Sequence, residues 1–140
     1  MIPKIEVFVR HCHFSAISHS KKRFETFSKQ RCFENLMRTA DFNKINLTFF
    51  LDTFYPTDEK HFVTMQNSHP VITISEGTET GSFLKLLDHV QSLSLADDTI
   101  IYFLEDDYIH KEGWADRSST APRRLLRKAP VANQNERLSP

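Results

Sequence analysis

The chain has 140 residues, of which 39% are apolar and 26% charged, and its formal net charge is zero. This size supports one domain with one core, and the charge balance argues against a nucleic-acid partner. Two cysteines are too few for a disulfide scaffold, and no stretch approaches the roughly 20 apolar residues of a membrane span. We therefore expect a cytoplasmic protein without a signal peptide, for which peripheral membrane contact stays open.

The spacing of apolar residues predicts strands that alternate with helices. In chain order the predicted elements are a strand over 4–10, a polar loop over 11–20, a helix over 22–40, a strand over 45–51, a short helix over 57–65, a strand over 71–74, a helix over 82–92 and a strand over 99–104. The last strand is apolar without alternation, which is typical of a strand that is covered on both faces.

This order of elements predicts an α/β, Rossmann-like fold with a mostly parallel sheet flanked by helices. Parallel sheets of this kind bind their ligands at the carboxyl ends of the strands. Asp52 follows the second predicted strand, a loop over 75–81 with two glycines follows the third, and Glu105-Asp106-Asp107 follows the fourth. We therefore expect these residues to converge at one edge of the sheet.

Glu105-Asp106-Asp107, hereafter the acidic segment, places three carboxylates side by side. Such a group repels itself unless it is solvated or shares a divalent cation, and hard oxygen ligands suit Mg²⁺ or Mn²⁺. Neighbouring strand residues point to opposite faces, so Glu105 and Asp107 can share one face. A solvated acidic turn is the alternative interpretation.

The residues from Phe103 to His110, together with Gly113-Trp114, resemble the DxD region of glycosyltransferases with the GT-A fold. The likeness is to bacterial, family 2-like members, and the order of elements agrees with theirs over about residues 2–114. The resemblance implies transfer of a sugar from a nucleoside diphosphate sugar to a glycan or lipid-linked acceptor, with Mn²⁺ or Mg²⁺ as cofactor. It implies that 1–114 is a nucleotide-sugar-binding domain.

The resemblance also implies roles for the acidic segment. Asp107 would be the direct metal ligand, and Glu105 would contact the metal through water or would contact the ribose. Asp106 would hold the segment in place or contact the ribose. The metal would neutralise the charge that develops on the leaving diphosphate.

Three further residues are assigned to the nucleotide by the same resemblance. Asp52 would lie near the base, although a carboxylate that starts a turn explains this residue equally well. Gly81 and Ser82 would open a helix whose free N–H groups face the donor. For Gly81 the alternative is that it only starts the helix.

The chain departs from the glycosyltransferase pattern after Trp114. Residues 115–140 hold six basic and two acidic side chains, a charge of +4 against −4 for 1–114, and predict a basic, disordered tail. The family would continue with the acceptor-binding elements and the general base, so the catalytic base is unknown and the domain is expected to be truncated. An inactive remnant that at most binds nucleotide is therefore one alternative function, and a Mg²⁺-dependent phosphoryl-transfer domain is another.

Histidine and cysteine also stand together near the end of the first strand, as His11-Cys12-His13. Structural zinc sites take four ligands, and no second pair lies nearby in the sequence. We expect these three residues to belong to the loop over 11–20.

Overall fold

The computed structural model describes residues 4–55, 57 and 60–120, with the side chains of 119 and 120 left out. Its four strands are β1 (Ile5–Cys12), β2 (Ile45–Asp52), β3 (Val71–Ile74) and β4 (Ile100–Glu105). Its helices are α1 (Ala16–Ser20), α2 (Lys29–Thr39), α3 (Phe62–Met65), α4 (Glu79–Ser92) and α5 (Trp114–Thr120). The predicted α/β, Rossmann-like class with a parallel sheet is confirmed.

The four strands are all parallel and lie in the order β3-β2-β1-β4. The chain therefore builds outward from β1 in one direction and then returns to place β4 on its other side. Cys12 pairs with Asp52, and Arg10 pairs with Glu105, so the ends of β1, β2 and β4 lie next to one another. The strand order reverses between β1 and β4, and open α/β sheets bind ligands beyond the carboxyl ends of the strands at such a point.

Both faces of β1 are buried, because its apolar residues alternate between two packing clusters. Val7 and Val9 pack with Leu36 of α2, while Phe8 packs with Leu86 of α4 on the opposite face. Helices therefore cover the sheet on both sides, because successive side chains of a strand point to opposite faces. Full burial of one Val, Leu or Phe side chain stabilises the fold by roughly 1.5–3 kcal/mol.

The expected burial of the fourth strand on both faces is wrong. Ile101 and Phe103 remain 40% and 37% exposed, whereas Leu104 is buried. In the described part of the chain β4 has β1 as its sheet neighbour on one side only, and α4 reaches it through Phe83, whose ring lies 5.9 Å from that of Phe103. An apolar run does not by itself distinguish a central strand from an edge strand.

Several predicted boundaries also differ from the structure. Within the predicted loop over 11–20, residues 11 and 12 belong to β1 and residues 16–20 form α1, and the helix over 22–40 begins only at Lys29. The cause is capping: Ser28 Oγ accepts a hydrogen bond from the Arg31 N–H at 3.0 Å and fixes where α2 starts. The short helix spans Phe62–Met65 and follows His61, not Thr57.

The predicted tail does not start at residue 115. Trp114 and Ala115 are buried and open helix α5, and the Trp114 ring lies 5.6 Å from that of Tyr102 on β4. Trp114 and Ala115 thereby join the core cluster of β1, and an aromatic side chain buries a large apolar area. The rest of the predicted tail, 121–140, lies outside the described residues. No helix in the described ranges is both long and apolar enough to cross a bilayer.

Candidate functional site

A cavity of about 220 Å³ lies at the carboxyl ends of β1, β2 and β4. We call it the strand-end cavity. The expected site residues that line it are Asp52, Ser82, Glu105, Asp106 and Asp107. The convergence that the sequence predicts is therefore present in the structure.

Each carboxylate of the acidic segment contacts a different basic side chain. The pairs are Glu105 with Arg10 at 2.9 Å, Asp106 with Lys29 at 2.8 Å, and Asp107 with Arg23 at 3.0 Å. The three cations come from β1, from the first residue of α2 and from the segment before α2. Sequence reasoning missed all three, although Arg10 ends the first predicted strand, and a basic residue at the carboxyl end of a strand is a signal that could have found it.

The central pair is the most sheltered of the three, with the Asp106 side chain 12% exposed and that of Lys29 23% exposed. Burial raises the pKa of Asp106 despite the attraction of Lys29. Burial disfavours the Lys29 cation, but the charge and hydrogen bond of Asp106 outweigh it and raise the pKa of Lys29. Lys29 therefore stays charged at neutral pH, and the Asp106 carboxylate depends on it.

The segment that follows the acids is tied to α2. The His110 N–H donates to Asn35 Oδ1 at 2.7 Å, and Asn35 Nδ2 donates back to the His110 carbonyl at 3.1 Å. The His110 ring packs 4.9 Å from that of Trp114. This double hydrogen bond fastens the residues just after the acidic segment to the middle of α2, the helix that begins at Lys29.

His11 belongs to β1 and not to a loop. It points to the same face as Val7 and Val9, is 1% exposed, and its ring lies 5.6 Å from that of Phe62. Burial, with repulsion from His61 and Lys29, lowers the pKa of His11 to about 3, so the ring is neutral. Its Nδ1 lies 3.9 Å from Asp106 Oδ2, which is too long for a hydrogen bond, and neither ring nitrogen has a partner among the described residues.

Asp52 is 4% exposed, and its carboxylate is occupied by the protein itself. Its oxygens accept hydrogen bonds from the N–H groups of Phe54, Glu76 and Gly77, at 3.0, 3.2 and 2.9 Å, and from Ser82 Oγ at 2.6 Å. Burial alone would raise the pKa of Asp52, but the hydrogen bonds from the Ser82 hydroxyl and the three N–H groups outweigh this effect and lower the pKa. Asp52 thus joins the end of β2, the loop after β3 and helix α4, which agrees with its structural interpretation.

The start of α4 differs from the expectation for Gly81 and Ser82. The helix begins at Glu79, and Thr78 caps it by accepting a hydrogen bond from the Gly81 N–H at 3.0 Å. Gly81 does not line the strand-end cavity, and its N–H is not free for a ligand. A Cβ at Gly81 would lie 2.8 Å from Thr78 Oγ1, so this glycine serves the cap. The lining residues here are Thr78, Glu79 and Ser82.

The expected Mn²⁺ or Mg²⁺ site does not fit this arrangement. Within the described ranges no group of three or more His, Cys, Asp and Glu residues is placed to hold a metal ion. Glu105 and Asp107, the expected ligands, are each directed at an arginine. A metal would need these carboxylates to turn away from their present partners.

The comparisons add no family to these observations. The chain was compared with models of protein families, with curated proteins and with solved structures, and none of the three comparisons finds a match.

Proposed function

We propose that this chain is the donor-binding part of a glycosyltransferase and binds a nucleoside diphosphate sugar in the strand-end cavity. The observation that carries this proposal is the position of the cavity at the reversal of strand order between β1 and β4, with the acidic segment on its wall. Nucleotides bind at this point in doubly wound sheets, because loops and helix starts meet there. The resemblance of the acidic segment to the DxD region supports the same ligand.

The aromatic side chains at the cavity suit the nucleoside. Phe14 and Tyr55 both line the cavity, are 45% and 46% exposed, and their rings meet edge to face with centroids 5.9 Å apart. Exposed rings at the mouth of a polar cavity offer a face for a base, and base–aromatic stacking contributes about 1–3 kcal/mol per base. The nucleoside would therefore lie on the α1 side and the diphosphate towards the acidic segment.

The reaction of the proposed enzyme is transfer of a glycosyl group to an acceptor hydroxyl, with release of the nucleoside diphosphate. A general base has to accept the proton of that hydroxyl. We assign no residue of this chain to that role, and the acceptor, glycan or lipid-linked, is left open.

A thermal melt with UDP, GDP, ADP, CDP and dTDP, each with and without Mn²⁺, tests the proposal. A ligand at 100 times its Kd adds about 2.7 kcal/mol to the free energy of unfolding, which is a readily measured rise in Tm. Tyr55→Ala should lose most of this rise. Tyr108→Ala is the matched control, since Tyr108 is 57% exposed but does not line the cavity.

A cooperative melt that none of the five nucleotides shifts would contradict the proposal. Equal loss in Tyr55→Ala and Tyr108→Ala would place the nucleotide elsewhere. Binding without sugar transfer to any acceptor would favour the alternative of an inactive nucleotide-binding chain.

A further inference from the structure

The acidic segment already has a counter-ion for each of its charges. Its three carboxylates meet Arg10, Lys29 and Arg23 at 2.8–3.0 Å. These basic side chains are sheltered, with exposures of 14%, 23% and 24%. In the glycosyltransferases that the segment resembles, a divalent cation is expected to neutralise such acids. In this chain three side chains from three parts of the fold do so.

A divalent cation would have to displace two of these partners. Mg²⁺ takes its oxygen ligands at about 2.0–2.1 Å and in near-octahedral geometry, so Glu105 and Asp107 would both have to turn to one point. Arg10 and Arg23 would then lose their partners and face a doubly charged ion at close range. Like charges at such distances repel by several kcal/mol in a partly buried site.

Basic groups also line the strand-end cavity. Arg10, Lys21 and Lys29 are lining residues. Lys29 Nζ has three N–H donors, of which Asp106 and Cys12 Sγ accept two, at 2.8 and 3.6 Å. The Lys21 ammonium has no side-chain partner in the part of the chain that the structure describes. These two lysines can donate to phosphate oxygens without losing a present contact.

We infer that Arg10, Arg23 and Lys29 take the place of the divalent cation in this chain, and that the donor diphosphate binds without metal. This inference rests on the proposed function and specifies how the same cavity recognises its ligand. Arg10, Lys21 and Lys29 contact the diphosphate, while Arg23 neutralises Asp107.

The test measures the Kd of the nucleoside diphosphates by calorimetry, on the full chain, in EDTA and then in Mn²⁺. If binding needs no metal, the Kd measured in EDTA and the Kd measured in Mn²⁺ should agree within about twofold. Glu105→Gln is the discriminating variant, because Glu105 is 53% exposed and its loss releases Arg10. If the diphosphate binds without metal, the Kd of Glu105→Gln in EDTA should be about threefold lower than that of the wild type. This is the size of effect expected from one exposed ion pair. A metal mechanism requires the opposite change, since Glu105 would be a ligand.

Glu112→Gln is the matched control. Glu112 pairs with Arg38 at 2.6 Å, both side chains are more than half exposed, and neither lines the cavity. The Kd of this variant should equal that of the wild type. A second measurement titrates Mn²⁺ alone and follows its electron paramagnetic resonance signal. The wild type should show no stoichiometric binding.

Nucleotide binding that occurs in Mn²⁺ and is lost in EDTA would overturn the inference and leave the proposed function intact. Weaker binding in Glu105→Gln, or stoichiometric Mn²⁺ binding by the wild type, would overturn it as well. Absence of nucleotide binding under both conditions would overturn the inference together with the proposed function.

Discussion

Replacing Asp52 with asparagine should separate its structural role from a role in nucleotide contact. Asp52 Oδ2 accepts from the Gly77 N–H and from Ser82 Oγ, and Oδ1 accepts from the N–H groups of Phe54 and Glu76. Either orientation of an asparagine amide would turn its NH₂ group towards two donors. One buried N–H without an acceptor costs about 1–3 kcal/mol, and a charge-assisted hydrogen bond is also lost.

Ser82 Oγ can keep its second acceptor, the Thr78 carbonyl at 2.8 Å, so the loss falls mainly on the backbone donors. We therefore expect Asp52→Asn to lower the free energy of unfolding by about 2–4 kcal/mol at pH 7. Urea unfolding with matched m-values measures this difference. Asp98→Asn is the control, because Asp98 is exposed, and a surface change of this kind stays within about 0.5 kcal/mol.

The difference between wild type and Asp52→Asn should also depend on pH in a defined direction. The folded-state pKa of Asp52 is lowered, so its contribution is complete above the unfolded pKa of about 3.9 and is lost as the pH falls through the folded value. The two proteins should therefore converge in stability as the pH falls below about 4. A loss under about 1 kcal/mol at pH 7, or a loss that does not change with pH, would refute this account of Asp52.

Three further predictions follow from other contacts of the site. Lys29→Met leaves the Asp106 carboxylate without its cation and should cost about 2–3 kcal/mol at pH 7, measured by urea unfolding against the exposed control Lys22→Met. Burial raises the pKa of Asp106, so the ionised carboxylate opposes folding. The cost of Lys29→Met should therefore grow as the pH rises above about 4, and a cost that falls with rising pH would contradict this account. Gly77→Ala should lower Tm, since φ is +73° and the new Cβ would lie 2.5 Å from the Phe54 ring; an unchanged Tm would show that the loop relaxes. Trp114→Ala should cost about 3–5 kcal/mol in the same unfolding assay, and a cost near zero would mean that α5 does not belong to the core.

The sequence alone determined the type and order of the main elements. Apolar residues alternate or run together in short strand segments and recur in a helical pattern over much of α2 and α4, and such patterns depend on local geometry. The same reasoning placed Asp52 and the acidic segment at the carboxyl ends of strands. Their convergence on one cavity followed, because parallel strands end at a common edge of the sheet.

Only the tertiary structure decided which strand forms an edge and what the acids contact. The order β3-β2-β1-β4 leaves one side of β4 without a neighbour among the described residues, and an apolar run carries no information on that order. The cations that pair with the acidic segment lie 95, 77 and 84 residues before their partners, for Arg10, Lys29 and Arg23 respectively. Such pairs form only after β1 and the start of α2 pack beside β4, so the sequence can place Arg10 at the end of a strand but cannot give the partner of any of the three cations.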